Sequence, residues 1–340
     1  LFSIFSEART MQRRNFIRIA GGGAVAVAAA TVTTAGLAAC SAGMPPEAIE
    51  AWQGPGRDAD PQQDVRRWLL SYAILAPHSH NLQSWVADLG TPNEILLTCD
   101  LHRLLPQTDP LSRQIMMSHG TFLELLDLAA RVRLSPDATV QKDLLFAQIL
   151  QRHTNRSVYH MTRPVPTEAW RIELTTPRTV MASYHVLRVG ATEIAAHRDG
   201  LSLPDPIPVL LDRLGLFDRS KAPAPDDYAT TSQIKDFGKK IDSTTGFLWL
   251  VTEGNERATQ VNAGRAYVRV QLAATAQGLS MQPLSQALQE YAEQARPYRE
   301  IHALAGASDP GQTVQMWARV GYAPAVEPAP RRRLQEFIRA

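Results

Sequence analysis

The apolar positions along this chain alternate between helical and extended spacing. From residue 60, Val65, Leu69 and Tyr72 mark one helical face. It is opened by Asp60-Pro61, an N-cap residue followed by proline at the first helical position, and it closes before Pro77. Ser84–Leu89 and Glu94–Asp100 read as a β-hairpin about Gly90-Thr91-Pro92-Asn93. Asp109-Pro110 repeats the start signal, and Leu111, Ile115, Phe122, Leu125, Ala129 and Val132 follow near helical spacing. Lys142–Arg152 predicts a further helix, Thr179–Val189 and Gly246–Thr252 predict strands, Arg257–Gln277 a long helix and Thr313–Tyr322 a last strand. Residues 201–226 hold Pro204, Pro206, Pro208, Pro223 and Pro225, which predicts an irregular arm or lid.

A weak internal repeat underlies the pattern. Gly120 precedes Ala129-Ala130 as Gly264 precedes Ala273-Ala274, with the same offset of 144 residues between the pairs; at Leu134 and Leu279 the offset slips to 145. Each long helix would then carry small residues suited to close packing.

The first forty residues have a different character. From Met11, Arg13-Arg14 is followed by Phe16, Ile17 and Arg18, which resembles the twin-arginine export consensus. A mildly apolar stretch from Ile19 to Ala39 follows, weaker than a spanning helix requires. It ends in Leu37-Ala38-Ala39-Cys40, which resembles a lipobox with Cys40 as the acylated residue. The competing readings are an uncleaved helix and cleavage without lipid. Residues 1–10 read as lying upstream of the true start. The domain reading is a signal peptide over 1–40, a Pro- and Gly-rich linker over 41–59, a first half over 60–145 and a second over 146–340. The twin-arginine route suits proteins that take up a cofactor before export.

Composition adds limits. With 340 residues, 44% hydrophobic and 20% charged, the chain can bury a large core, and a formal net charge of +2 gives no electrostatic case for nucleic acid. Cys40 and Cys99 are the only cysteines, too few for a disulfide framework.

Three clusters carry candidate chemistry. Ser79, Asn81, Gln83 and Trp85 lie between a helix and a strand, where amide side chains offer a donor and an acceptor to one ligand edge; a self-satisfied turn is the competing reading. Arg152, His153, Thr154 and Arg156 place guanidinium forks beside a hydroxyl, as phosphate binding requires, or form a solvated basic helix end. Arg331, Arg332 and Arg333 form a basic cluster near the C-terminus, for a phosphate or for solubility alone. His78 and His80, with His102 or His119, make a weaker metal-ligand set.

Taken in order, these clusters resemble the nitroreductase superfamily, in particular the Acg family of FMN-binding oxidoreductases. Arg103-Leu104-Leu105-Pro106 followed by Asp109-Pro110, then Gly264-Arg265-Ala266 and Arg319-Val320-Gly321-Tyr322, fit the same branch. Ser84 before Trp85 and His80 beside Asn81 depart from its pattern. The resemblance implies an α+β fold, a three-layer α/β/α sandwich whose two related halves imitate the nitroreductase dimer, with one FMN between them. It implies hydride transfer through the flavin to a small aromatic, quinone or nitro acceptor. The cofactor-binding residues would be Ser79, Asn81, Gln83, Arg152, His153, Thr154, Arg156, Arg331, Arg332 and Arg333, with Trp85, His80 and Tyr322 as further cleft residues and no general acid or base. The alternatives are a lipoprotein that holds FMN under a cover without turnover, and one that has lost FMN. The implied partners are the export machinery, a membrane reached through the lipid and a small acceptor. The implied location is the periplasm or the outer side of the cell envelope. Association into a homodimer stays open.

Overall fold

The computed structural model describes residues 43–134, 144–159 and 168–339. The export signal and Cys40 lie outside them. In chain order the regular elements are α1 (Pro46–Ile49), α2 (Val65–Ala73), β1 (Trp85–Asp88), β2 (Leu96–Cys99), α3 (Arg113–Leu134), α4 (Glu168–Thr175), α5 (Pro177–His185), β3 (Leu187–Val189), α6 (Gly190–His197), β4 (Leu201–Leu203), α7 (Pro206–Arg213), α8 (Tyr228–Asp242), β5 (Gly246–Glu253), α9 (Arg257–Ala276), β6 (Ser280–Pro283), α10 (Ala295–Leu304), β7 (Gln312–Gly321) and β8 (Ile338–Arg339). The fold is mixed α and β, with helices against three small sheets. Among the described residues no helix is long and apolar enough to cross a membrane.

The predicted hairpin forms: β1 and β2 pair antiparallel from Trp85 opposite Cys99 to Asp88 opposite Leu96. The chain's end returns to this sheet, with β8 parallel to β1 and Ile338 beside Ala87. The second sheet is antiparallel in the order β5-β7-β6, with Trp249 opposite Trp317. Strands β3 and β4 pair parallel by themselves.

Two long helices organise the interior. One core gathers Leu70 and Ile74 of α2, Trp85 of β1, Phe122 and Leu125 of α3, and Val268 and Leu272 of α9. Helices α3 and α9 cross where each has its glycine. A methyl group on Gly120 would lie 2.0 Å from the Val261 carbonyl oxygen, and one on Gly264 would lie 2.0 Å from that of Met117. Each glycine therefore rests on the residue three before its counterpart, the reciprocity of a two-fold contact. The helices also begin at Arg113 and Arg257, the same 144 residues apart as the glycines. Past the crossing, buried Glu124 pairs with Arg265 at 2.7 Å and with Arg269.

Several expectations are corrected. Asp60 caps no helix; it accepts from Gln62 N at 2.9 Å in a turn, and the cap of α2 is Asp64, which accepts from Arg66 N at 2.9 Å. Helix α3 opens at Arg113, although Asp109 still reaches Ile115 N at 3.0 Å. Of the helix expected over 142–152, residues 142–143 lie outside the described chain and the rest holds only a short 3-10 turn, Phe146–Gln148. The strand expected over Thr179–Val189 is mostly helix α5, with only Leu187–Val189 extended. Pro177 at the first helical position sets the local geometry and outweighs the β-branched residues after it. The proline-rich arm likewise contains helix α7, started by Pro206, and strand β4. Strand β7 matches the expected last strand closely, but β8 follows it. The segment expected to be a linker folds onto the body, burying Ala48, Trp52 and Ala59.

The crossing gives a direct test. Gly120→Ala and Gly264→Ala must each drive the helices apart, and we expect a loss of about 3 kcal/mol or more in urea unfolding. Gly238→Ala, mid-helix in α8 with nothing within 4 Å of the new methyl, is expected to gain about 0.5–1 kcal/mol.

Candidate anion-binding site

Helix α2 ends pointing its last carbonyls into the protein. Leu75, just beyond its C-cap, offers one oxygen to two arginines: Arg152 Nη2 donates to it at 2.7 Å and Arg331 Nη2 at 3.2 Å. Arg331 also donates to the Ala76 carbonyl at 3.0 Å, to Pro330 at 2.8 Å and to Asn81 Oδ1 at 2.7 Å. Arg152 Nη1 reaches Gln271 Oε1 of α9 at 3.3 Å. The fold thus brings together three segments more than 70 residues apart in sequence: the Asn81 turn, the Arg152 segment and the basic tail.

Both guanidiniums are almost wholly buried, 2% and 3% exposed, and no carboxylate pairs with either among the described residues. Sharing one carbonyl holds their terminal nitrogens no more than about 6 Å apart, a repulsion of roughly 3 kcal/mol at an effective dielectric near 20. The C-terminus of α2 offers about half a negative charge, worth ~2 kcal/mol at best. That leaves positive charge uncompensated. Burial pushes Arg152 down to about 10, and burial with the Arg152 charge pushes Arg331 well below the usual guanidinium range. At about 10, Arg152 stays cationic near neutrality.

Several donors around the pair also lack partners among the described residues: Nε of Arg152, Nε of Arg331, the Tyr267 hydroxyl and Nε2 of Gln271, together with Nδ1 of His153. Arg319 shows that burial does not force this outcome. It is equally buried, and its guanidinium reaches Gln282 Oε1 and the Lys240 and Ser157 carbonyls while stacking on Tyr159 at 3.8 Å. A set of buried cations and unused donors matches the chemistry of an anion with several acceptor oxygens, such as a phosphate monoester.

Trp52 roofs this cluster. Its ring lies 5.4 Å from the Arg152 guanidinium carbon, 5.0 Å from that of Arg331 and edge-on to His153 at 4.8 Å. Its indole Nε1 donates to Ala329 at 2.9 Å, Arg331 N donates to Ala48 at 2.8 Å, and Glu50 pairs with Arg198 at 2.7 Å. Sequence reasoning passed over Trp52 as part of a linker. A tryptophan is rarely left in solvent, and its i, i+4 spacing from Ala48 was the available signal.

The other expected site residues are placed as follows. His153 sits at the cluster, its pKa pushed to about 4 by burial and by the charges of Arg152 and Arg331. Thr154 is drawn into an isolated parallel bridge with Met281. Arg156 makes no hydrogen bond or ion pair with the described residues. Its side chain is solvent-exposed, and desolvation by the surrounding protein lowers its pKa. Its charge helps to lower the pKa of His80, which burial brings to about 4, and of Lys240. Arg332 turns away to donate to the Gln83 carbonyl at 2.8 Å and stacks on Phe337, while Arg333 is exposed near Glu50.

The amide turn is held by the protein itself. Asn81 Nδ2 donates to Pro330 at 3.1 Å, Gln83 Nε2 donates to Arg198 at 2.9 Å, and Gln83 Oε1 accepts from Arg332 N at 3.0 Å. Ser79 Oγ bonds Gln114 at 3.2 Å. His80, Asn81 and Gln83 all have φ near +50°, a conformation that costs roughly 1–2 kcal/mol per residue outside glycine. Trp85 is a core residue packed on Phe122 and Phe337, and Tyr322 is exposed. Both nitrogens of His78 are engaged, Nδ1 with the Ser79 carbonyl and Nε2 with Ser84 Oγ, each at 2.8 Å. Among the described residues no cluster of three side chains could hold a metal. Compared with models of known families and with curated proteins, the chain matches none.

Two measurements test this site. Trp52→Ala is expected to cost about 3–5 kcal/mol in urea unfolding, because it removes a buried ring and two cation–π contacts. His153 is neutral in the folded chain down to about pH 4, whereas the unfolded chain protonates it below about 6.5. Its contribution therefore lowers stability as pH falls through that window, and His153→Gln is expected to flatten the slope of the urea midpoint between pH 6.5 and 4. An unchanged slope would remove His153 from the buried cluster.

Proposed function

We propose that this chain is an exported FMN-dependent oxidoreductase of nitroreductase-like architecture, a sandwich whose two halves meet at the α3–α9 crossing. The observation that carries the reading is the buried Arg152–Arg331 pair, with unused donors and no carboxylate among the described residues, at the meeting of the three segments that the resemblance assigns to FMN. The cluster fits a phosphate monoester: Arg152 and Arg331 would hold its oxygens, with Tyr267 and neutral His153 as further hydrogen-bonding groups. Arg156 and His80, within electrostatic reach of each other, would face the ring system. When bound, FMN supplies two-electron chemistry toward an aromatic, quinone or nitro acceptor. The protein's part is anchoring, orientation and exclusion of water, and no side chain is assigned a proton-transfer role. Export by the twin-arginine route and acylation of Cys40, which would fix the protein to the envelope, rest on the sequence motifs alone.

A second reading is an FMN-holding lipoprotein without turnover. The Trp52 roof and the internally satisfied amides of Asn81 and Gln83 favour it, because both leave the site closed. Absorption spectroscopy of the purified full chain tests the cofactor, with flavin bands expected at roughly 370 and 450 nm. Arg152→Gln is expected to weaken flavin retention tenfold or more, by loss of a charged hydrogen bond to phosphate worth about 1.5–3 kcal/mol. Bleaching of those bands by a reduced nicotinamide or quinol donor, followed by reoxidation with a quinone, separates the enzyme from the holder. Colourless protein that takes up no FMN would sink both.

A further inference from the structure

Far along the chain from the arginine cluster, helix α7 exposes an apolar face. Ile207, Leu210, Leu211 and Leu214 are 59%, 56%, 36% and 61% exposed, at the i, i+3, i+4, i+7 spacing that normally faces a core. The opposite side packs inward, where Val209 lies against Gly190 at the start of α6. The helix ends in a Schellman turn: Gly215 has φ +67°, its N–H donates to Asp212 at 3.0 Å, and Leu216 N donates to Leu211 at 2.8 Å. That turn brings Leu216, 70% exposed, back beside Leu211. Five aliphatic side chains thus share one outward patch.

The surroundings of the patch select what covers it. Charges beside it are partly paired with each other, Arg219 with Glu193 at 2.8 Å and Asp212 at 3.3 Å and Lys221 with Asp218 at 3.1 Å, while Asp205 at the start of α7 lies exposed. Both signs border the patch, so its surroundings form no one-signed field for an acidic or basic partner. Five side chains about half exposed amount to roughly 500 Å² of apolar surface, which a bilayer can take up without a shape-complementary partner. Position agrees. Helices α1 and α7 both pack on α6, and Glu50 beside α1 pairs with Arg198, the residue that caps α6. The four peptide steps from Met44 to Cys40 can reach at most about 14 Å. The apolar patch therefore flanks the same helix as the segment that leads to the lipobox.

We propose that the α7 face docks on a lipid bilayer, its leucines entering the boundary between headgroups and acyl chains. The anchoring reading explains how the face reaches a membrane; the docking is a separate property, measured without the acyl group. The test uses the full-length chain with Cys40→Ser, mixed with phosphatidylcholine vesicles and followed by hydrogen exchange over residues 204–217. Exchange in 207–216 is expected to slow at least threefold on vesicles and to stay slowed in 1 M salt. Leu210→Glu with Leu214→Glu, both at exposed positions, is expected to abolish the slowing and leave the thermal midpoint of the body unchanged. Equal exchange with and without vesicles overturns the proposal. So does slowing that appears on raising protein concentration without lipid, which assigns the face to a second copy. Slowing that needs anionic lipid and vanishes in salt overturns it as well. Mass measurement of the wild-type chain reads acylation separately, so loss of the anchor and loss of docking are distinguishable.

Discussion

Two arginines on one carbonyl hold this structure together and also leave it incomplete. Leu75 receives Arg152 from the segment after α3 and Arg331 from the tail, so the end of α2, the segment bridged to β6 through Thr154 and the C-terminal tail are fixed to one atom. The same contact buries two like charges side by side. A chain selected only for stability would be expected to replace such a pair by apolar residues, or to give it a carboxylate as Arg113 has in Glu290 at 3.3 Å. Retention of the unpaired arrangement is the physical reason for assigning an anion to it.

The α3–α9 crossing supplies the frame on which that arrangement is built. Backbone approach this close tolerates no side chain at either glycine, and the contact is reciprocal in sequence number as well as in space. On α9 beyond the crossing, Gln271 Oε1 accepts from Arg152 and Tyr267 lies within electrostatic reach of it, while Ser118 of α3 holds Ser79 N at 3.1 Å. The two helices thus set both walls of the region: α3 carries the strained turn and α9 backs the guanidinium pair.

Much of this was legible in the residues. The hairpin, strand β5 and both long helices follow from periodicity and turn chemistry, because their apolar faces meet the core directly. Residue types alone leave the Arg152 and Arg331 segments as separate basic clusters, the resemblance joins them, and only the fold shows that Arg331, and neither Arg332 nor Arg333, lies beside Arg152. That choice depends on the rotation of an irregular tail. The failures share a cause. Pro206 counts in the sequence toward an irregular arm where it starts a helix, Pro177 goes unweighed against the β-branched residues after it, and residues 41–59 read as a tether because Pro and Gly density outweighs one tryptophan.

The turn at residues 79–83 is the place where sequence and structure pull hardest against each other. Its amides were expected to meet a ligand, and they meet Pro330, Arg198 and Arg332. Three left-handed non-glycine residues within four positions store strain that a loop serving only as a connection would shed. What that strain maintains is the docking of the tail: Asn81 Oδ1 holds Arg331 against the helix end, and Gln83 Oε1 holds the next backbone N–H. The turn therefore acts on the guanidinium pair through Arg331. The Arg156 charge helps to lower the pKa of His80 on the same strained backbone, so these two side chains lie within electrostatic reach of each other. The motif's amides thus serve to position Arg331 against the helix end.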